Sequence, residues 1–285
     1  MRKLIITVVA VSITLVACGA PQVGDALPLE EVRVQSVPLP PAPQEHEPQP
    51  TPATLTLSVA EGYTIARIGM AIEELGASTT TEFIGAAQTG DFSEFSLVAA
   101  MPRNPERFFA LEGYLFPGVY EIYPDQSSES IIRHMLSQTE QMIDEDLRRS
   151  IAESGRTVDE ILTLASIVQS ESLGNDDAKP LVSSVIHNRI ATGMMLQMCK
   201  TSFYVRDYIA PLYEGDPARF HEQYNTYMLH GLPAGPICNP GPSAIRAALA
   251  PARTNYFFYI WDDYDNFHFA ATWEEHLANV QKYLR

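Results

Sequence analysis

Residues 157–174 read TVDEILTLASIVQSESLG, and this stretch carries its own start and stop. Thr157-Val158-Asp159-Glu160 is a capping box, in which the Thr157 hydroxyl and the Glu160 carboxylate each satisfy a backbone N–H of the first turn. Gly174 can adopt the left-handed conformation that ends a helix. Between these signals Ile161, Leu164, Val168 and Glu171 fall at i, i+3, i+7 and i+10, so the apolar face ends in an acid. Glu171 is therefore predicted to sit on the packed face. Desolvation and the negative end of the helix dipole both disfavour its anion and raise its pKa. A carboxyl kept protonated near neutrality can protonate a leaving oxygen, the need of glycosidic cleavage. The competing expectation is that Glu171 fans into solvent as the helix frays, or pairs with an arginine such as Arg189.

Downstream, a second amphipathic helix is predicted from about Ala178 to Thr192, buried through Leu181, Val182, Val185, Ile186 and Arg189 and stopped at Gly193. Leu196-Gln197 then opens an irregular stretch. Tyr224-Asn225-Thr226-Tyr227 precedes GLPAGPICNPG at 231–241, whose alternating prolines and glycines leave little backbone entropy to lose. Rings, amides and hydroxyls beside a stiff loop suit a carbohydrate groove; a structural turn packed by tyrosines is the plainer alternative. A short helix (Ser243–Leu249), a hairpin (Tyr256–Ile260 with Asn266–Ala270) and a helix capped at Thr272 complete this half. The hairpin turn, Asp262-Asp263-Tyr264-Asp265, lacks the spacing of a calcium loop and reads as solvated.

Upstream, Leu111 to Pro117 (LEGYLFP) is turn-rich and leads into a strand around Val119–Tyr123. Ser128 starts one long helix, with Ile131, Ile132, Met135, Leu136, Met142, Ile143 and Leu147 predicted as its buried positions. Residues 54–100 read as a small α+β lobe: a strand at Leu55–Val59, a turn at Glu61-Gly62-Tyr63, a helix capped by Thr64 and a second helix from Thr80 to Ala87. The pattern is similar to a LysM-like glycan-binding module. The fold class expected is α+β, this lobe being followed by a larger mixed α+β domain over 101–285.

The chain of 285 residues is 46% hydrophobic, enough to exclude disorder over most of its length. Nineteen Lys and Arg stand against 35 Asp and Glu, a formal net charge of −16, which argues against nucleic acid as a partner. Met1-Arg2-Lys3 and the apolar run Leu4–Val16 have the layout of an export signal. Leu15-Val16-Ala17-Cys18-Gly19 resembles the bacterial lipobox, so residues 1–17 are expected to be removed and Cys18 lipidated, holding the chain to a membrane outside the cytoplasm. An uncleaved anchor or an incidental Cys18 are the alternatives. Residues 18–53 hold nine prolines and read as a semi-extended tether. With Cys18 consumed, Cys199 and Cys238 either form a disulfide in an oxidising compartment or remain as two buried free thiols.

Five stretches, LEGYLFPGVY at 111–120, LASIVQSES at 164–172, VIHNRIATGMMLQ at 185–197, YNTYMLHGLPAGPICNPG at 224–241 and AIRAALAPARTNYFFYI at 244–260, together resemble the endolytic murein transglycosylases (MltG or YceG-like). The resemblance implies lytic cleavage of peptidoglycan glycan strands between N-acetylmuramic acid (MurNAc) and N-acetylglucosamine (GlcNAc). Products would end in 1,6-anhydro-MurNAc, nascent strands would be terminated, and peptidoglycan synthases would be partners. It also implies that Glu171 is the catalytic acid, the position already marked by the helix stripe. Two positions depart from the family pattern: Gln169 stands where a first acid is usual, and Cys199 where an Asp is usual. Expected substrate-binding residues are Glu112, Asn188, Gln197, Tyr224, Asn225, Thr226, Tyr227, Gly231, Leu232 and Pro233. Glu112 is the candidate second carboxyl should water be the nucleophile. The rival function is a non-catalytic peptidoglycan-binding lipoprotein. No H-E-x-x-H, G-x-S-x-G or phosphate-binding glycine loop occurs, so no metal or cofactor is expected.

Overall fold

A computed structural model describes residues 53–284; the expected signal segment, Cys18 and nearly all of the 18–53 tether lie outside the described residues. The first strand, β1 (Leu55–Val59), is followed by α1 (Ile65–Glu74), α2 (Thr80–Thr89), a single turn α3 (Ser96–Ala99) and β2 (Gly118–Ile122). β1 pairs antiparallel with β2, Leu57 facing Tyr120 and Leu55 facing Ile122. Leu57, Tyr120 and Ile122 are buried against Ile65, Ile68 and Ile72 of α1 in one apolar cluster. Thr64 caps α1 by accepting from Arg67 N, and Thr79 with Glu82 forms a capping box on α2.

This pairing corrects the expected end of the lobe at residue 100. A strand without its neighbour is not independently stable, and the neighbour of β1 lies beyond that boundary. The lobe runs on to Ile122, and all the described residues fall within one compact unit.

The long helix expected from Ser128 is two helices, α4 (Ser128–Met142) and α5 (Glu145–Glu153). Asp144 competes for the chain by accepting from Leu147 N at 2.8 Å as an N-cap, and Ile143 leaves the helical region (ψ 65) to allow it. Ile143 stays buried, whereas Met142 faces solvent.

Next comes the helix that organises the molecule, α6 (Val158–Glu171), with the expected Thr157–Glu160 capping box. Its burial is wider than a single stripe. Thr163, Ala165 and Ser166 are buried along with Ile161, Leu164 and Val168, so the helix is surrounded. Small side chains make this feasible, since they let α10 (Pro242–Leu249) come alongside with its own Ala244, Ala247 and Ala248 buried. Leu173 and Gly174 both have positive φ (52 and 77), which turns the chain into α7 (Lys179–Thr192). Gly193 then ends α7 in the left-handed conformation, as its sequence position predicts.

After α7 the chain makes α8 (Cys199–Tyr204), a wider helical turn at Val205–Ile209, and α9 (Ala218–Tyr224). The hairpin of β3 (Phe258–Trp261) and β4 (Phe267–Ala270) carries the last helix, α11 (Trp273–Tyr283), on its flank. Its turn is self-contained. Asp262 is held by His268 and by the Asn266 and Tyr264 backbone, and these bonds depress its pKa, His268 foremost. The fold of the described residues is thus mixed α+β, with two two-stranded sheets among many helices. No helix of the described residues is long and apolar enough to cross a membrane.

Candidate active site

Glu171 is the last residue of α6 and is only 1% exposed. The inward position inferred from the helix period is the one observed. Its Oε2 accepts from the Tyr259 hydroxyl at 2.9 Å, and its Oε1 from Lys200 N at 3.2 Å. That N–H belongs to the first turn of α8, where backbone donors have no intrahelical acceptor. Burial dominates and raises the Glu171 pKa, opposed by the Lys200 N–H, the Tyr259 hydroxyl and the Lys200 charge.

The carboxyl borders a cleft of about 380 Å³, walled by Arg189 from α7, Gln197 to Cys199, Tyr227, and Tyr259 to Trp261 from β3, with Leu284 at one side. Glu171 is the one carboxylate among the lining residues. Chain geometry explains the near wall. Past Gly193 the backbone is pinned to the turn after α9: Gln197 N donates to Thr226 O at 2.9 Å and Met198 N to Thr226 Oγ1 at 2.8 Å. Gln197 takes a positive φ of 51 to make both bonds, which places it and Tyr227 on the same rim.

Several expected groove residues lie elsewhere. Glu112 is fully buried, and its oxygens accept from Ile65 N (3.1 Å), the Tyr204 hydroxyl (3.1 Å) and Asn239 Nδ2 (3.2 Å). It fastens the start of α1 to the core and does not line the cleft. Tyr224 is also core: its ring packs on Tyr204 with centroids 5.3 Å apart, and its hydroxyl has no partner. Asn188 borders a separate cavity with Ser184 and His187, its amide bonded to Thr254 O and Tyr256 O. Asn225 shapes the turn by accepting from Tyr227 N, and Thr226 is buried behind the rim. Gly231, Leu232 and Pro233 are absent from the cleft wall. The stiff loop packs inward instead, onto Gly113 (φ 88), where any Cβ would come within 2.5 Å of the Pro236 ring. Of the expected binding residues, Gln197 and Tyr227 remain in the cleft.

Gln169 does not reach Glu171 either; its Oε1 accepts from Gly241 N at 3.1 Å and holds the same loop. Of the two alternatives for Cys199 and Cys238, the structure has free thiols among the described residues, Cys238 buried and Cys199 half-buried. Cys238 Sγ packs against Ser166 O (3.4 Å) and Ser170 Oγ (3.3 Å), and burial pushes its pKa up to about 12. Cys199 Sγ lies 3.9 Å from Glu171 Oε1, at the mouth of the cleft. Among the described residues no cluster of ligands could hold a metal ion.

Sequence reasoning missed Tyr259 and Trp261, and considered Arg189 as a buried position of its helix and an ion partner for Glu171, not as a wall of the cleft. Arg189 instead donates from Nε to Phe257 O at 2.7 Å and from Nη1 to Leu196 O, joining the two walls of the cleft. The alternation of β3 puts Tyr259 and Trp261 on one face, a signal that was available in the sequence. It did not say that this face meets α6.

Comparisons with known proteins agree with this architecture. A family model described as the YceG-like family matches residues 44–282. The endolytic murein transglycosylase of Bacillus subtilis (strain 168) is 33% identical over 175 residues, covering 61% of this chain and 48% of that protein. The endolytic murein transglycosylase of Streptococcus pneumoniae serotype 2 (strain D39) is 27% identical over 245 residues, covering 80% of this chain and 44% of that protein. The chain therefore spans a little under half the length of these curated relatives. A crystal structure of a yceG-like protein from Listeria monocytogenes superposes with a TM-score of 0.69 at 30% identity, covering 78% of this chain and 75% of that one. A cleft-bordering buried glutamate on a capped central helix, the matched fold and a family model spanning most of the sequence lead to one assignment: the chain belongs to the YceG-like family.

Proposed function

We propose that this chain is a lytic transglycosylase that cleaves peptidoglycan glycan strands between MurNAc and GlcNAc, with Glu171 as its single acid and base. The observation that carries the reading is a carboxyl, 1% exposed and with raised pKa, bordering a cleft whose other lining residues, among those described, carry no carboxylate. Hydrolytic glycosidases flank the bond with two carboxyls, one serving as nucleophile or as activator of water. With one, the nucleophile is best supplied by the substrate. Protonated Glu171 donates to the glycosidic oxygen as the C1–O bond breaks and GlcNAc leaves as an alcohol. The resulting carboxylate accepts the proton of the muramyl C6 hydroxyl while that oxygen bonds to C1, closing a 1,6-anhydro ring and restoring the acid. Tyr259 and Lys200 N–H favour the carboxylate form, so they stabilise the state in which Glu171 must wait between the two transfers.

The first lobe runs β1-α1-α2-α3-β2, and its two strands pairing around α1 and α2 support the reading as a LysM-like glycan-binding element, with α3 and the stretch before β2 as additions to that pattern. Lipidation at Cys18 would tether the enzyme outside the cytoplasm, where nascent strands are extended. Termination of those strands and contact with peptidoglycan synthases follow from the resemblance. Mass spectrometry of glycan strands digested by the full chain tests the reaction: every new muramyl end should be one water lighter than a reducing end. Reducing ends would make the enzyme a hydrolase, and binding without cleavage would leave the non-catalytic lipoprotein.

A further inference from the structure

Arg189 is 6% exposed, and among the described residues no carboxylate lies within ion-pair distance of it. A buried cation without a counter-ion is costly, and burial accordingly lowers its pKa against the opposing influence of Tyr259, Tyr227 and Glu171. His276 offers no compensation: burial first, and the Arg189 charge second, lower the pKa of that imidazole. The guanidinium is also immobilised. Nε and Nη1 hold the carbonyls of Phe257 and Leu196, and the group lies over the Phe258 ring with its Cζ 5.5 Å from the centroid. Nη2 has no hydrogen-bond partner among the described residues, and Arg189 lines the same cleft as Glu171. A clamp between two carbonyls would need no third nitrogen. With Glu171 protonated, the lining residues carry one charged group, a fixed cation in a protein of net charge −16.

Resting on the proposed reaction, we infer that Arg189 is a specificity residue that donates through Nη2 to the lactyl carboxyl group of MurNAc. The two sugars of the strand differ only at O3, where MurNAc carries a lactyl ether ending in a carboxylate, or in an amide carbonyl when a stem peptide is attached. Either oxygen can accept from a guanidinium, and the free carboxylate also neutralises the buried charge. Reading this group sets the register of the strand, so that the muramyl C1, and not the glucosamine C1, lies against Glu171. Chitin oligosaccharides share the backbone and N-acetyl groups but lack the lactyl ether, and are poor ligands.

The test uses the full chain with Glu171→Gln, which binds without turnover, and calorimetry with three probes of equal length. These are muramyl strands without peptides, muramyl strands with stem peptides, and chitin oligosaccharides. Affinity should fall in that order, the first exceeding the last by about tenfold and the margin shrinking with added salt. Adding Arg189→Gln should erase the order, and Arg189→Lys should restore part of it. Equal affinity for the first and third probes overturns the inference, with no demand on any Arg189 variant folding. So does an order that survives Arg189→Gln in a folded protein. Retention of cleavage by Glu171→Gln would instead overturn the reaction on which the inference rests.

Discussion

Two glutamates of this protein are buried to nearly the same degree, and only one of them borders the cleft. Glu112 and Glu171 are 0% and 1% exposed, both have pKa values raised chiefly by desolvation, and each accepts from a tyrosine hydroxyl and a backbone N–H. Glu112 is enclosed by α1, α8 and the Gly/Pro loop and does not line the cleft, whereas Glu171 borders it. Burial and a perturbed pKa therefore mark a buried carboxyl, and only access marks a candidate acid. The first serves as an internal fastening; the second is the proposed reagent.

The sharpest way to break this distinction is to neutralise each in turn. Glu171→Gln should lower cleavage of glycan strands by on the order of 10³-fold, the scale of general acid catalysis, with an unchanged or raised thermal midpoint. Release of muramyl ends from purified sacculi, per mole of folded protein, measures it. Glu112→Ala should do the reverse. By leaving two buried donors, Ile65 N–H and the Tyr204 hydroxyl, without an acceptor it should cost about 2–4 kcal/mol in urea unfolding, while the folded fraction keeps its activity.

The same residue predicts a pH dependence. Burial pushes the Glu112 pKa up to about 8 from 4.5, so the folded state holds this proton more tightly than the unfolded chain. Its contribution to stability is complete below pH 4.5 and is lost as pH rises to 8, and the raised Glu171 pKa acts with the same sign. Urea unfolding across that window should show wild-type stability falling faster than that of Glu112→Gln. Smaller effects concern the open wall. Tyr259→Phe removes a bond that favours the Glu171 anion, so the Glu171 pKa rises further and the basic limb of the rate profile moves to higher pH. Its rate at neutral pH should fall by about tenfold, because the waiting carboxylate loses a donor. Cys199→Ala deletes a weak contact at 3.9 Å and should leave the rate within about threefold of wild type.

What the sequence disclosed divides along the same line. The position of Glu171 was legible because a capping box, a helical period and a terminal glycine are all local signals within eighteen consecutive residues. Glu112 was misread as a groove residue because its partners, Ile65, Tyr204 and Asn239, come from three distant parts of the chain. Tyr224 failed for a related reason: residue type proposes an aromatic for stacking on sugar, but it does not say whether the ring is covered by Tyr204. Tyr259 was invisible as a partner of Glu171, since strand alternation gives a face and not what the face meets. The break at Ile143 was missed because an apolar period continued across an Asp that caps better than it propagates.

The central claim is that Glu171 enters the proposed reaction already protonated, in a cleft where no other described lining residue carries a carboxyl. Titration of selectively labelled Glu171 by carbon NMR, assigned with Glu171→Gln, reads this directly. A midpoint displaced above the ordinary 4.5 of a glutamate is the predicted result. A midpoint at or below 4.5 would mean that the donors outweigh burial, and the acid role assigned to this residue would fail.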